Sequence, residues 1–172
     1  MTAAAASLVC TGLCVVCLVY LHLAPTGYSP RRNAVSEYGV GPYARWYQAQ
    51  AACAGAAAAL LAAALGGPPR ILVLLAVFAA ARLAISQAPL DKRRVVHWVL
   101  ALLAFGSMTA AGIRLATSEH GTPAFGWAML AFVLLMGVSR RNPELRGSFG
   151  LVERGFYAAM LAWLALVAAR LV

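Results

Sequence analysis

Six apolar stretches, at about 3–23, 46–66, 70–88, 95–117, 123–139 and 154–172, run through the chain without a broad polar break inside any of them. A helix needs about 20 apolar residues to cross the hydrocarbon layer of a bilayer. None of the stretches alternates with period two for long, which argues against a barrel. Backbone groups in lipid must then be satisfied within helices. The fold expected is therefore all-α: an integral membrane bundle of six transmembrane helices forming a single domain, 1–172. Composition agrees, with 63% apolar and 11% charged residues, against roughly 45–50% and about 25% in a soluble domain. A chain with so little polar surface cannot face water on all sides.

The breaks between stretches carry the topology. Gly66-Gly67-Pro68-Pro69 predicts a tight hairpin, since glycine releases a helix and proline is tolerated only in its first turn. Thr122-Pro123 reads as an N-cap followed by proline at the first helical position. The long break 24–45 holds too many glycines and prolines for a helix, and a loop of that length points to function or burial in protein. The net charge of +9 would suggest nucleic acid on a soluble protein. Here the basic residues sit in the breaks, where topology selection puts them, so no nucleic-acid partner is expected. Arg31, Arg32 and Arg45, then Lys92, Arg93 and Arg94, then Arg140, Arg141, Arg146 and Arg154 mark alternate breaks, whereas Arg70, Arg114 and Arg170 mark the opposite side. The positive-inside rule makes the rich breaks cytoplasmic and both termini extracytoplasmic. The start MTAAAASLVC lacks a positive n-region, so the first stretch is expected to stay in the membrane. Thirteen of the fourteen basic residues are Arg among abundant Ala, Gly and Leu, a bias that suggests a GC-rich bacterial genome and hence a bacterial plasma membrane.

Aromatic residues near the span ends, Tyr43, Trp46, Tyr47, Trp98, Trp127 and Tyr157, read as interfacial belts. Cys10, Cys14 and Cys17 share one helix face and Cys53 lies in the second span. Free buried cysteine behaves as a small hydrophobe, so packing is preferred over a redox or metal role. Ala51, Gly55 and Ala59, and then Gly106, Ser107, Thr109 and Gly112, read as small-residue packing faces.

Titratable residues at membrane depth are costly and tend to mark sites. His22, Arg82, Asp91 and His97 all fall toward the cytoplasmic face, as does the loop carrying Ser36, Glu37 and Tyr38; Arg114, Glu119 and His120 fall on the outer side. One reading is catalytic, with Ser36 as nucleophile, His97 as base and Asp91 orienting it. Asp91 would have to fold back over the helix start, since a spacing of six residues does not share a helix face. A zinc site on His22, His97 and Asp91 lacks any supporting ligand spacing, so neither metal nor cofactor is expected. The structural alternative makes Asp91 a cap of the fourth helix. His22, Glu37, Tyr38 and Arg82 then form a polar cluster in which Arg82 snorkels or pairs with Glu37 or Asp91. A transporter would call for interrupted helices or repeated halves, which the sequence does not show.

The run Leu21-His22-Leu23-Ala24-Pro25-Thr26-Gly27-Tyr28-Ser29-Pro30-Arg31-Arg32-Asn33-Ala34-Val35-Ser36-Glu37-Tyr38-Gly39 resembles the first-loop signature of the prokaryotic six-span family catalogued as domain of unknown function 998. Ala88-Pro89-Leu90-Asp91 followed by His97 resembles its second feature, although the fourth span keeps a single His in Val95-Val96-His97-Trp98. More distantly, Ser36-Glu37-Tyr38-Gly39 is similar to the Ser-Asp-x-Gly loop of eukaryotic six-span proteins related to the fibroblast-growth-factor-receptor-activating membrane protein, some linked to lipid remodelling. The resemblance implies an architecture and groups His22, Ser36, Glu37, Asp91 and His97, but implies no reaction. The expected function is a small accessory or lipid-contacting membrane protein whose loop 24–45 folds against the start of the fourth helix. Membrane lipids, and another integral membrane protein or complex, are its expected partners, with Lys92, Arg93 and Arg94 meeting anionic headgroups. The alternative is a lipid hydrolase or transferase using Ser36, Asp91 and His97.

Overall fold

The computed structural model describes residues 1–116 and 122–172, and the described residues are helical with no strand. Among the described residues six α-helices follow one another: α1 Ala3–Leu23, α2 Ala44–Leu65, α3 Pro69–Ile85, α4 Arg94–Leu115, α5 Pro123–Arg141 and α6 Phe149–Ala169. Five are long and apolar enough to cross a membrane; α3, at 17 residues, is the shortest. Thr117 of the expected fourth span, with Glu119 and His120, lies outside the described residues. The sixth helix begins five residues before the expected 154, carrying Glu153 and Arg154 in its opening turns.

Each helix packs on the next, and α1 also packs on α6, which closes the bundle. Trp163, Phe78, Phe156, Leu61, Leu75, Met108 and Leu164 are fully buried in its centre. Val16, Val73, Leu102, Leu134 and Leu151 stand exposed on the outside. An apolar exterior around a packed interior suits a bundle surrounded by hydrocarbon.

Small residues set the closest approaches. At the α4–α5 crossing Gly112 and Gly126 face each other, and Gly55 of α2 lies against the Ala79 carbonyl of α3. Ala51 and Gly55 are buried as expected, but Ala59 and Gly106 are exposed, so both packing faces are shorter than the spacing suggested. Cys14 and Cys17 are buried, Cys10 and Cys53 half-buried, and all four are free thiols.

The hairpin between α2 and α3 forms as the sequence predicts, with Gly66 at the C-cap in the left-handed conformation (φ 51°) and Pro69 opening α3. A side chain there meets its own carbonyl, at a cost of about 1–2 kcal/mol. Gly66→Val is therefore expected to lower stability by that amount, read as a small fall in melting temperature, and an unchanged melting temperature would contradict this assignment. Thr122 takes the N-cap position of α5, but its side chain makes no capping bond.

Two expectations are corrected. The loop 24–45 docks on the start of α6, not on α4: Leu151 N–H donates to the Arg31 carbonyl at 3.1 Å, and Gly150 lies directly under the Pro30 and Asn33 carbonyls. The first turn of α6 supplies the free N–H groups that a helix start always has. Glycine at 150 lets the loop backbone come close. Asp91 caps nothing, because α4 starts later, with Arg93 at its N-cap position and no side-chain cap.

Candidate functional site: an arginine-lined cavity

The site is built at the end of the bundle where the three arginine-rich connections meet. Arg154, on the second turn of α6, holds the long loop in place. Its Nη1 donates to the Asn33 carbonyl at 2.8 Å and the Gly150 carbonyl at 2.9 Å, and its Nη2 donates to the Tyr38 hydroxyl at 3.1 Å. Its Nε donates to Nε2 of His22, whose Nδ1 donates in turn to the Leu18 carbonyl at 2.5 Å. Glu37 stabilises the loop from within, accepting from Asn33 Nδ2 at 2.5 Å and from the Ala34 N–H at 3.1 Å. Arg154 thus joins His22 and Tyr38, while Glu37 bonds within the loop, to Asn33 and Ala34.

Arg82 lies deeper, 2% exposed. It neither snorkels nor bonds Glu37 or Asp91: Nη1 donates to the Tyr157 hydroxyl at 3.0 Å and Nη2 to Gln50 Oε1 at 2.8 Å. Gln50 Nε2 completes the chain by donating to Cys14 Sγ at 3.3 Å. Tyr47 and Tyr157, read from sequence as belt residues, are instead buried beside this guanidinium. Their helix faces point inward, which proximity to a span end cannot reveal.

Between these groups lies a cavity of about 640 Å³. Arg32, Arg82, Arg94, Arg140 and Arg146 line it against only three carboxylates, Glu37, Asp91 and Glu153, so its walls are net cationic. Ile85, Leu90, Ala101, Phe105 and Phe149 supply apolar wall. Arg140 is positioned by two rings, its guanidinium carbon lying 3.5 Å from the Trp98 centroid and 4.4 Å from that of Phe149, an arrangement that favours the cation electrostatically. Glu153 is buried and accepts from the Val35 N–H at 2.7 Å.

Ser36, Asp91 and His97 all line this cavity. They are not linked to one another through the imidazole: His97 Nδ1 donates to the Ala88 carbonyl at 2.7 Å, and its Nε2 has no protein partner. Asp91 is exposed and Ser36 half-buried. Lys92, Arg93 and Arg94 are exposed beside it, with Arg94 alone of the three among the lining residues. Among the described residues no group of three or more His, Cys, Asp or Glu is placed to hold a metal ion.

Sequence reasoning passed over Gln50, Arg140, Glu153, Arg154 and Tyr157 as site residues. Gln50 was legible as a polar side chain inside an apolar stretch. Glu153 falls just before the sixth stretch, and Arg154, at its first residue, reads as one of the basic markers of the preceding break.

The fold and site together define a multi-pass, membrane-type helical protein with a cationic cavity at one end of its bundle. Over residues 8–170 the chain matches the family described as Protein of unknown function (DUF998), and it belongs to that family. No curated protein and no solved structure matches it.

Proposed function

We propose that this is a six-span protein of a bacterial plasma membrane that holds an anionic lipid headgroup in the arginine-lined cavity, acting as a lipid-contacting or accessory protein without chemistry of its own. The net cationic lining of the cavity, with apolar side chains completing its wall, carries this reading. Guanidinium groups suit phosphate geometry and lose little hydration on binding it. Both termini are extracytoplasmic in this reading, which opens the cavity toward the inner leaflet, where anionic lipids attract basic residues. Lys92, Arg93 and Arg94 form the approach to it. The short α3 crosses with the others, its 17 residues spanning about 25 Å. A second integral membrane protein would meet it through the exposed apolar helix faces.

The test is retention of lipid in mild detergent, read by mass spectrometry. Wild type is expected to keep phosphatidylglycerol over phosphatidylcholine. Arg94→Gln with Arg140→Gln should weaken that retention about 30-fold, at about 1 kcal/mol per basic residue. Equal retention of the two lipids by wild type would overturn the proposal.

A second reading, lipid hydrolase or transferase, is supported by one observation: Ser36, Asp91 and His97 line one cavity, and His97 Nε2 is free to take a proton. Release of free headgroup by wild type and not by Ser36→Ala would favour it over simple holding.

A further inference from the structure

Two buried polar atoms without protein partners belong to residues of the same cavity: Nε of Arg82 and Nε2 of His97. Leaving such groups unpaired is costly, so each calls for a partner from outside the chain. Their hydrogen-bonding senses are opposite. Arg82 Nε is a cationic donor. The Ala88 carbonyl 2.7 Å from His97 Nδ1 can only accept, so Nδ1 carries the proton, and in the neutral ring Nε2 presents a lone pair. Both residues line that one cavity. Glu153, in the same lining, adds carboxylate acceptor capacity beyond the one bond it accepts from Val35.

A ligand offering only negative charge would answer the arginines and leave the acceptors facing its oxygens. We infer, building on the anionic-headgroup reading above, that the occupant is a phosphodiester bearing its own hydroxyl donors, the phosphoglycerol class of headgroup. Its phosphate oxygens accept from the Arg82 Nε–H and neighbouring guanidinium groups. Its glycerol hydroxyl donates to His97 Nε2, with Glu153 as the further acceptor. Phosphatidic acid is the informative competitor. It carries more negative charge but no hydroxyl beyond the phosphate, so a cavity reading charge alone would prefer it.

The experiment offers wild-type protein in mild detergent an equal mixture of phosphatidylglycerol, phosphatidic acid and phosphatidylcholine with identical acyl chains, and reads bound lipid by native mass spectrometry. The expected result is retention of phosphatidylglycerol about fivefold over phosphatidic acid, the worth of one net hydrogen bond. In His97→Phe the two anionic lipids should come to parity while both still exceed phosphatidylcholine; that residual preference also reports that the variant is folded. Wild type holding phosphatidic acid as well as phosphatidylglycerol, or His97→Phe keeping the preference, overturns the inference and leaves the anionic reading standing. Equal retention of all three lipids overturns both. Displacement of bound phosphatidylglycerol by free glycerol phosphate would support the same chemistry with a soluble source, and resistance to displacement would support the lipid.

Discussion

Arg154→Ala is expected to lower the melting temperature of the detergent-solubilised protein by about 6–12 °C and to open the loop 24–45 to trypsin at Arg31 and Arg32. One guanidinium joins α1, the loop and α6 through His22, Tyr38 and the Asn33 and Gly150 carbonyls. Hydrogen bonds from a charged donor contribute about 1.5–3 kcal/mol each and are not additive. A total near 3 kcal/mol, at about 2–4 °C per kcal/mol for a chain of this size, gives the stated range. The loop has no regular ladder of its own beyond the short 3-10 turn Val35–Gly39, so these contacts, the Val35–Glu153 bond and the Leu151–Arg31 bond hold it down. Arg154→Lys is expected to behave almost like Ala, because an ammonium cannot reproduce the planar fork that reaches acceptors on three parts of the chain. Unchanged trypsin cleavage in Arg154→Ala would sink the anchoring role, whatever happened to the melting temperature.

Gly126→Leu is expected to cost about 3 kcal/mol or more and to yield mainly aggregated protein on gel filtration. Overpacking a close interface costs about 1–3 kcal/mol when side chains can adjust, and here they cannot. A Cβ at 126 falls 2.7 Å from both the Gly112 carbonyl carbon and the Ile113 nitrogen, which are backbone atoms of α4. The helices must separate to admit it. Gly112→Ala is the milder change across the same crossing. The nearest obstacle there is the terminal methyl of Met129, a flexible side chain, so a loss of about 1 kcal/mol or less is expected. Equal damage from the two changes would show that crossing distance is not what glycine at 126 provides.

Helix positions were readable from sequence because crossing hydrocarbon demands a length of apolar residues whatever the neighbours are, and the Gly66–Pro69 turn was readable because glycine and proline have few conformational options. The gathering of His22, Ser36, Glu37, Asp91 and His97 at one end was legible from the side on which each break falls, and those residues do lie at that end. Partner choice was not legible. Arg82 was expected beside Glu37 or Asp91, and it meets Gln50 and Tyr157 because α2 and α6 present those faces to it. The loop was expected on α4 and sits on α6 for the same reason: helix order around the bundle leaves no trace in the periodicity of any one helix.

Sequence by itself determined the class of the protein, its helix positions and the end of the bundle at which its charge collects, since each follows from the cost of exposing polar backbone or unpaired charge to lipid. Tertiary structure alone decided that five arginines line one cavity, that Arg154 is the loop's anchor, and that His97 gives one nitrogen to a backbone carbonyl and keeps the other free. These depend on which faces of separate helices meet, and that is settled by side-chain packing between segments distant in the chain.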